Sequence, residues 1–164
     1  MCLNIRQLNV EDWALWKHIR LEALKLHPEA FGGSYEEESL WTDEEFKKGL
    51  VKSDIFGAFV DNKLVGVAGF FIYGLQKLKH RGMLFTLYVK KENRGFGIAT
   101  QFMETVIEHA RTRVLQLHCT VITGNESAIR LYQRHGFQIF GTEPRSLKVG
   151  ETFHDLHLMV LKFD

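Results

Sequence analysis

Leu87-Tyr88-Val89-Lys90-Lys91-Glu92-Asn93-Arg94-Gly95-Phe96-Gly97-Ile98-Ala99 is the stretch whose reading decides the fold. Its apolar start completes a strand over Met83–Val89, its polar middle is a short turn, and Gly95 opens a helix. Apolar residues at Ile98, Phe102, Met103, Val106, Ile107 and Ala110 give that helix one buried face. The first amides of a helix have no internal partners and lie at the positive end of its dipole. Gly95, Gly97 and small Ala99 leave those amides open, so the segment predicts a backbone cradle for a pyrophosphate. The dipole is worth ~0.3–1 kcal/mol, and each hydrogen bond to a charged oxygen adds roughly 1.5–3 kcal/mol. The same glycines also suit plain capping and packing of the helix, and both readings stand at this point.

The loop is not a dinucleotide fingerprint, because Thr100 occupies the third glycine position. The next strand, Val114–Ile122, carries no acidic residue at its end for a ribose hydroxyl. No Gly-Lys-Ser/Thr follows, which argues against a nucleoside triphosphatase loop. Further on lies Asn125-Glu126-Ser127-Ala128-Ile129-Arg130-Leu131-Tyr132-Gln133-Arg134-His135-Gly136-Phe137. Asn125 is a natural cap for a helix over Asn125–His135, and Gly136 ends it. Ala128, Leu131 and Tyr132 share one face of that helix.

Working outward, a first strand is predicted at Leu3–Leu8, followed by a helix capped by Asn9. Trp13, Trp16, Ile19, Ala23 and Leu26 form its buried stripe, and Pro28 stops it. Phe31–Ser34 is a loop, three glutamates follow at Glu36–Glu38, and Thr42 with Glu45 caps a helix over Asp43–Val51. Ile55–Val60 and Leu64–Ile72 make a hairpin around Asp61-Asn62-Lys63. Phe137–Gly141 and Thr152–Phe163 are the last strands. The order β-α-α-β-β-β-α-β-α-β-β predicts an α/β (α+β) fold, a mixed sheet with helices on both faces.

At 164 residues the chain matches the size of one domain, and residues 1–164 are read as such. The 21 basic and 20 acidic residues leave a net charge of +1, which gives no electrostatic case for nucleic acid. No apolar run is long enough to span a membrane. The opening MCLNIRQLN lacks the apolar core of a signal peptide, so a cytoplasmic location is expected. Cys2 and Cys119 are expected as reduced thiols, and no zinc-ligand spacing occurs, so no metal is expected.

Together and in this order, the two glycine-containing segments resemble the GNAT superfamily of acetyl-CoA-dependent N-acetyltransferases. Arg94-Gly95-Phe96-Gly97-Ile98-Ala99 is similar to that family's acyl-CoA pyrophosphate motif. Asn125, Ala128, Tyr132, Gly136 and Phe137 are similar to its Asn-Ala-Tyr-Gly-Phe motif. Arg20–Leu24, Pro28–Gly32 and Ser34–Glu38 resemble a bacterial branch of the family. Lys91 and Glu92 depart from the proline and the glutamine or arginine common there.

The resemblance implies a mostly antiparallel central sheet of six to seven strands, with acetyl-CoA as cosubstrate and no metal. The implied cofactor-binding residues are Leu87, Tyr88, Val89, Arg94, Gly95, Phe96, Gly97, Ile98, Ala99, Thr100, Asn125 and Ala128. It also implies direct attack of a primary amine on the thioester, with Tyr132 as general acid to the departing thiolate. An amide at or beside Leu87 would polarise the carbonyl. An alkylamine costs roughly 4.6 kcal/mol to neutralise at pH 7, at 1.36 kcal/mol per pKa unit. Glu37 and Asp155 are the candidates for handling that cationic acceptor. The partner is then a small-molecule or peptide amine, with a homodimer as the assembly frequent in such proteins. Two other classes compete: a non-catalytic acyl-CoA-binding sensor module and a nucleotide-binding module.

Overall fold

Val60 and Lys63 pair across a two-residue turn in which Asp61 (φ 50°) and Asn62 (φ 67°) are both left-handed. This is the turn geometry whose twist matches that of paired strands. Around this hairpin, the computed structural model describes residues 2–164. The strands are β1 (Leu3–Gln7), β2 (Asp54–Val60), β3 (Lys63–Ile72), β4 (Arg81–Val89), β5 (Gln116–Ile122), β6 (Gln138–Val149) and β7 (Thr152–Lys162). The helices are α1 (Trp13–Leu26), α2 (Tyr35–Glu38), α3 (Asp43–Lys52), α4 (Ile98–Arg111) and α5 (Glu126–Arg134). No described helix is long and apolar enough to cross a membrane.

The strands form one seven-stranded sheet in the order β1-β2-β3-β4-β5-β7-β6. Every neighbouring pair is antiparallel except β4 with β5. Those two meet only through Arg81–Met83 and Gln116–His118. Beyond that they diverge, and β5 continues its pairing with β7 up to Ile122. The expected mixed, mostly antiparallel sheet with helices on both faces is therefore present.

One face of the sheet is covered by α4 and α5. Phe102, Met103 and Val106 bury themselves against Phe56, Ala68, Phe70 and Leu117. The other face is covered by α1 and α3, whose Trp16, Ile19, Ala23, Phe46 and Leu50 meet Ile55, Val67 and Tyr88. Thr42 and Glu45 form the expected reciprocal cap on α3. Both cysteines are free, Cys119 buried and Cys2 exposed.

The structure corrects one core position and two boundaries. Leu26 is the last residue of α1 and is 60% exposed, while Leu24 takes the buried place. The glycine loop stays outside the helix, and α4 begins at Ile98. The strand expected at Phe137–Gly141 runs on to Val149. Its second half holds Thr142-Glu143-Pro144-Arg145-Ser146, which lacks an apolar alternation. Pro144 is tolerated because β6 is the edge strand, where no partner needs its amide.

Phe102 is fully buried at the centre of α4. Phe102→Ala is expected to lower stability by about 3–5 kcal/mol, read by urea unfolding.

Candidate active site

The divergence of β4 and β5 leaves one edge of β4 unpaired beyond Met83. The amide of Lys90 donates to Val65 O on β3 at 2.8 Å. Alternation along a strand then turns the amides of Val89 and Leu87 to the opposite, open side. The β3–β4 register shifts here: Val67 faces Tyr88 and Gly69 faces Phe85, so Ala68 alone opposes Thr86 and Leu87. This is a β-bulge, and Thr86 within it has φ 53°.

Beyond β4, the chain makes a short turn at Lys91–Asn93 and enters α4 through Gly97, which has φ 81°. Gly97 offers no side-chain cap, so the first amides of α4 have no side-chain acceptor. They face a cavity of about 490 Å³ whose walls include Val89, Gly95, Gly97, Ala99, Thr100 and Asn125. Arg94 stands at its rim. Its Nε donates to Val89 O at 2.9 Å, and its Nη2 lies 3.3 Å from His27 Nε2. The side chain of Phe96 is 59% exposed, and Phe96 does not line this cavity.

A second cavity, of about 410 Å³, lies deeper in the split and is lined by Arg20, Phe31, Thr86, Leu87 and Tyr132. Leu87, Asn125 and Ala128 border both cavities, so the two form one continuous cleft. Asn125 Oδ1 accepts from Ala128 N at 3.3 Å and caps α5. One turn on, Tyr132 is 8% exposed, with its ring 5.8 Å from that of Phe137. Burial pushes its phenol well above the ordinary range for tyrosine. The group keeps its proton and can donate it.

Tyr88 shows its other side to α1. Its amide belongs to the β3 side of β4, and its hydroxyl donates to Glu22 Oε2 at 2.6 Å. Lys90 Nζ adds a bond to Glu22 Oε1 at 3.0 Å. Burial alone would raise the Glu22 carboxyl, but the bonds from Tyr88 and Lys90 outweigh it and hold the group below its usual range. A larger hollow of about 960 Å³ runs along α1 on this side, bordered by Trp13, Leu21 and Tyr35. It touches the cleft only through His27, Tyr88 and Arg94, and Tyr132 is not part of it.

The two carboxylates singled out from sequence lie outside the cleft. Glu37 is exposed on α2, where its amide donates to Ser34 Oγ at 3.1 Å. Asp155 on β7 accepts from the amide of Arg145 through Oδ1 at 2.8 Å. Neither lines either cavity. Glu38, the third glutamate of that run, is buried and chelates Arg20. The sequence reading gives Arg20 and Thr86 no role and Glu38 only a place in an acidic run. The available signal was an arginine placed directly after Ile19, next to the buried stripe of α1.

Comparison with known proteins places the chain in a family. A model of the acetyltransferase (GNAT) family matches residues 20–137. The chain belongs to this family of acyltransferase enzymes. Over 83 residues it is 36% identical to the L-methionine sulfoximine/L-methionine sulfone acetyltransferase of Pseudomonas aeruginosa. That match spans 48% of this chain and 46% of the relative, so it reaches about half the length of the curated relatives. A GNAT-family acetyltransferase from Streptococcus pneumoniae is similar throughout, with a TM-score of 0.86 and 26% identity over 99% of this chain and 100% of that one. The yncA acetyltransferase of Salmonella typhimurium, solved with its cofactor acetyl-CoA, has the same fold. Its TM-score is 0.86 at 19% identity, over 100% of this chain and 95% of that one.

Two outcomes follow from the geometry. Gly97→Ala puts a Cβ into open space but on a left-handed backbone, so stability is expected to fall by roughly 1–2 kcal/mol in urea unfolding. The depressed Glu22 carboxyl contributes stability above its unfolded pKa of about 4.3, and that stability is lost as pH falls through the folded value. Glu22→Gln is therefore expected to flatten the decline of stability below about pH 4.3, measured by unfolding at stepped pH.

Proposed function

We propose that residues 1–164 form one N-acetyltransferase domain that moves an acetyl group from acetyl-CoA to a primary amine in the cytoplasm. The observation that carries the reading is the continuous cleft, with uncapped helix amides at one end and Tyr132 at the other. In this reading the amides of Gly95 to Ala99 hold the pyrophosphate, with Arg94 beside it and Thr100 in the wall. The pantetheine arm lies along the open edge of β4 as an added strand would, paired with the main chain of Leu87 and Val89. Asn125 and Ala128 face that arm from α5. Tyr88 contributes the floor through its ring, and Phe96 contributes through its backbone alone.

Acetyl-CoA supplies the activated thioester when bound. The amine nitrogen would attack the carbonyl carbon, the C–S bond would break, Tyr132 would give its proton to the leaving sulfur, and the proton lost by the acetylated nitrogen would return to the Tyr132 oxygen. The Leu87 amide stabilises the charge on the carbonyl oxygen in between. The ammonium proton must be shed before attack. Glu37 and Asp155 stay in the proposal as relay carboxylates that water would have to link to the cleft, since neither borders it. Amino-acid amines are the first acceptors to test, because the Pseudomonas relative is named for two of them. No step in this reading calls for a metal. A homodimer is the assembly in this proposal. A non-catalytic acyl-CoA sensor would keep the cradle but would not need a tyrosine hydroxyl at the deep end of the cleft.

Calorimetric titration with acetyl-CoA, with NAD as control, tests the cradle. Binding of acetyl-CoA alone is expected, and failure to bind it refutes the reading. Tyr132→Phe is expected to reduce turnover at least tenfold, about 1.4 kcal/mol in barrier, with acetyl-CoA affinity unchanged. Equal turnover in that variant removes the acid role. Because burial raises the phenol and the acid must be protonated, no fall in rate from Tyr132 ionisation is expected up to about pH 10, the ordinary tyrosine value. A pH–rate profile checks this.

A further inference from the structure

We infer that Arg20, clamped by Glu38, is a positioning residue for acetyl transfer: it holds Thr86 in its left-handed conformation and so aims the Leu87 amide into the cleft. The inference rests on the acetyl-CoA reading above and adds to it the part that sets the carbonyl-polarising amide.

Thr86 is the starting point. It is β-branched, buried, and has φ 53° in the bulge of β4. A left-handed position in such a bulge is ordinarily glycine's, because a branched Cβ crowds the backbone there. A threonine persists in it only when its surroundings over-determine it. Its side chain supplies the tie: Thr86 Oγ1 accepts from Arg20 Nη1 at 2.6 Å. The peptide plane that follows Thr86 carries the Leu87 N–H. If Thr86 relaxed to an extended conformation, that plane would turn and the amide would leave the cleft.

A single bond from a flexible arginine would be a poor restraint, and the arginine here is not flexible. Its Nε donates to Glu38 Oε1 and its Nη2 to Glu38 Oε2, both at 2.9 Å. The two side chains are 12% and 6% exposed. This two-point contact fixes the plane of the guanidinium, leaving Nη1 aimed at Thr86. The loop after α1 closes over the pair. A Cβ at Gly33 would overlap the Glu38 carboxylate and the Arg20 guanidinium, so the chain crosses there as glycine. The pair is electrically balanced, and Arg20 lines the inner cavity together with Phe31, Gly33, Thr86 and Leu87. An ion pair serving only to tie α1 to α2 would have no need of the third contact to a strained strand residue.

The test follows the bound thioester itself, so it needs no acceptor. Acetyl-CoA labelled with ¹³C at the carbonyl is bound to wild type, Thr86→Val, Thr86→Ser and Arg20→Lys. Affinity is read by calorimetry, the carbonyl stretch by difference infrared spectroscopy, and slow thioester hydrolysis by free thiol. Wild type is expected to shift the carbonyl stretch to lower frequency. Thr86→Val keeps the shape of threonine but lacks the hydroxyl. It is expected to bind acetyl-CoA within about twofold of wild type, lose most of that shift, and release thiol on the order of tenfold more slowly. Thr86→Ser is expected to restore both. Arg20→Lys replaces the fork by a point donor and is expected to behave as Thr86→Val does, which keeps the test decisive if the valine variant fails to fold. A wild-type carbonyl shift in a variant without the Arg20–Thr86 bond overturns the inference and leaves the acetyl-CoA reading standing. A wild-type protein that does not bind acetyl-CoA overturns that reading, and the inference with it.

Discussion

The parallel contact between β4 and β5 is the constraint on which the rest of the molecule depends. It lasts for Arg81–Met83 against Gln116–His118 and then stops. A sheet that stayed paired would have no cleft. A sheet that never paired would have two halves free to slide. Three residues of contact join the halves and still leave the far part of β4 with amides turned to an empty side. Such an edge is a template for an extended ligand, because main-chain groups left without partners gain most from one that supplies them. The bulge at Thr86 keeps it open, since a bulge bends its strand and raises the local twist. On the other bank, β5 pairs with β7 over its whole length and stays with that half of the sheet.

The helices complete the cleft from opposite faces of the sheet. On one side, α4 begins at the end of β4 and turns its uncapped amides into the opening. On the other, α1 supplies Arg20 and leads into the loop and α2 that seal it. The charges divide accordingly. Arg20 is neutralised by Glu38 inside the protein, whereas Arg94 sits at the rim with only carbonyl and imidazole partners. An anion entering the outer cavity thus meets an arginine not matched by a carboxylate together with the helix dipole. Deeper in the cleft the balanced pair adds little net field, which suits a neutral thioester better than a phosphate.

The fold was legible in the sequence because its signals are local. The 98–110 helix has an apolar period, Thr42 and Glu45 announce a cap, and Asp61-Asn62 announces a hairpin. The second half of β6 was not legible, because Pro144 and Arg145 break the alternation and pairing with β7 alone holds them in register. At the site, glycine at a helix entry is a positional signal, whereas Tyr132 is singled out only through the family resemblance. The Arg20–Glu38–Thr86 set was not. Its partners lie 18 and 66 residues apart in sequence, and no local pattern encodes that meeting. Nothing about Thr86 as a letter announces a left-handed backbone, since threonine is a common strand residue.

The run of three glutamates shows why residue type alone could not settle roles. Glu36, Glu37 and Glu38 have the same chemistry and adjacent positions, and sequence reasoning favoured Glu37. A single helical turn separates their fates. Glu36 and Glu37 are exposed, while Glu38 turns inward beneath a glycine and meets the largely covered Arg20 guanidinium. Breaking such a pair on one side strands a charge in the interior, a cost of about 3–5 kcal/mol that an exposed glutamate never carries. A buried ion pair is weak evidence for stability, because its desolvation offsets its attraction. It is better evidence for geometry. Two charges that could be replaced by hydrocarbon at little cost hold one direction in space, and that direction leads to Thr86.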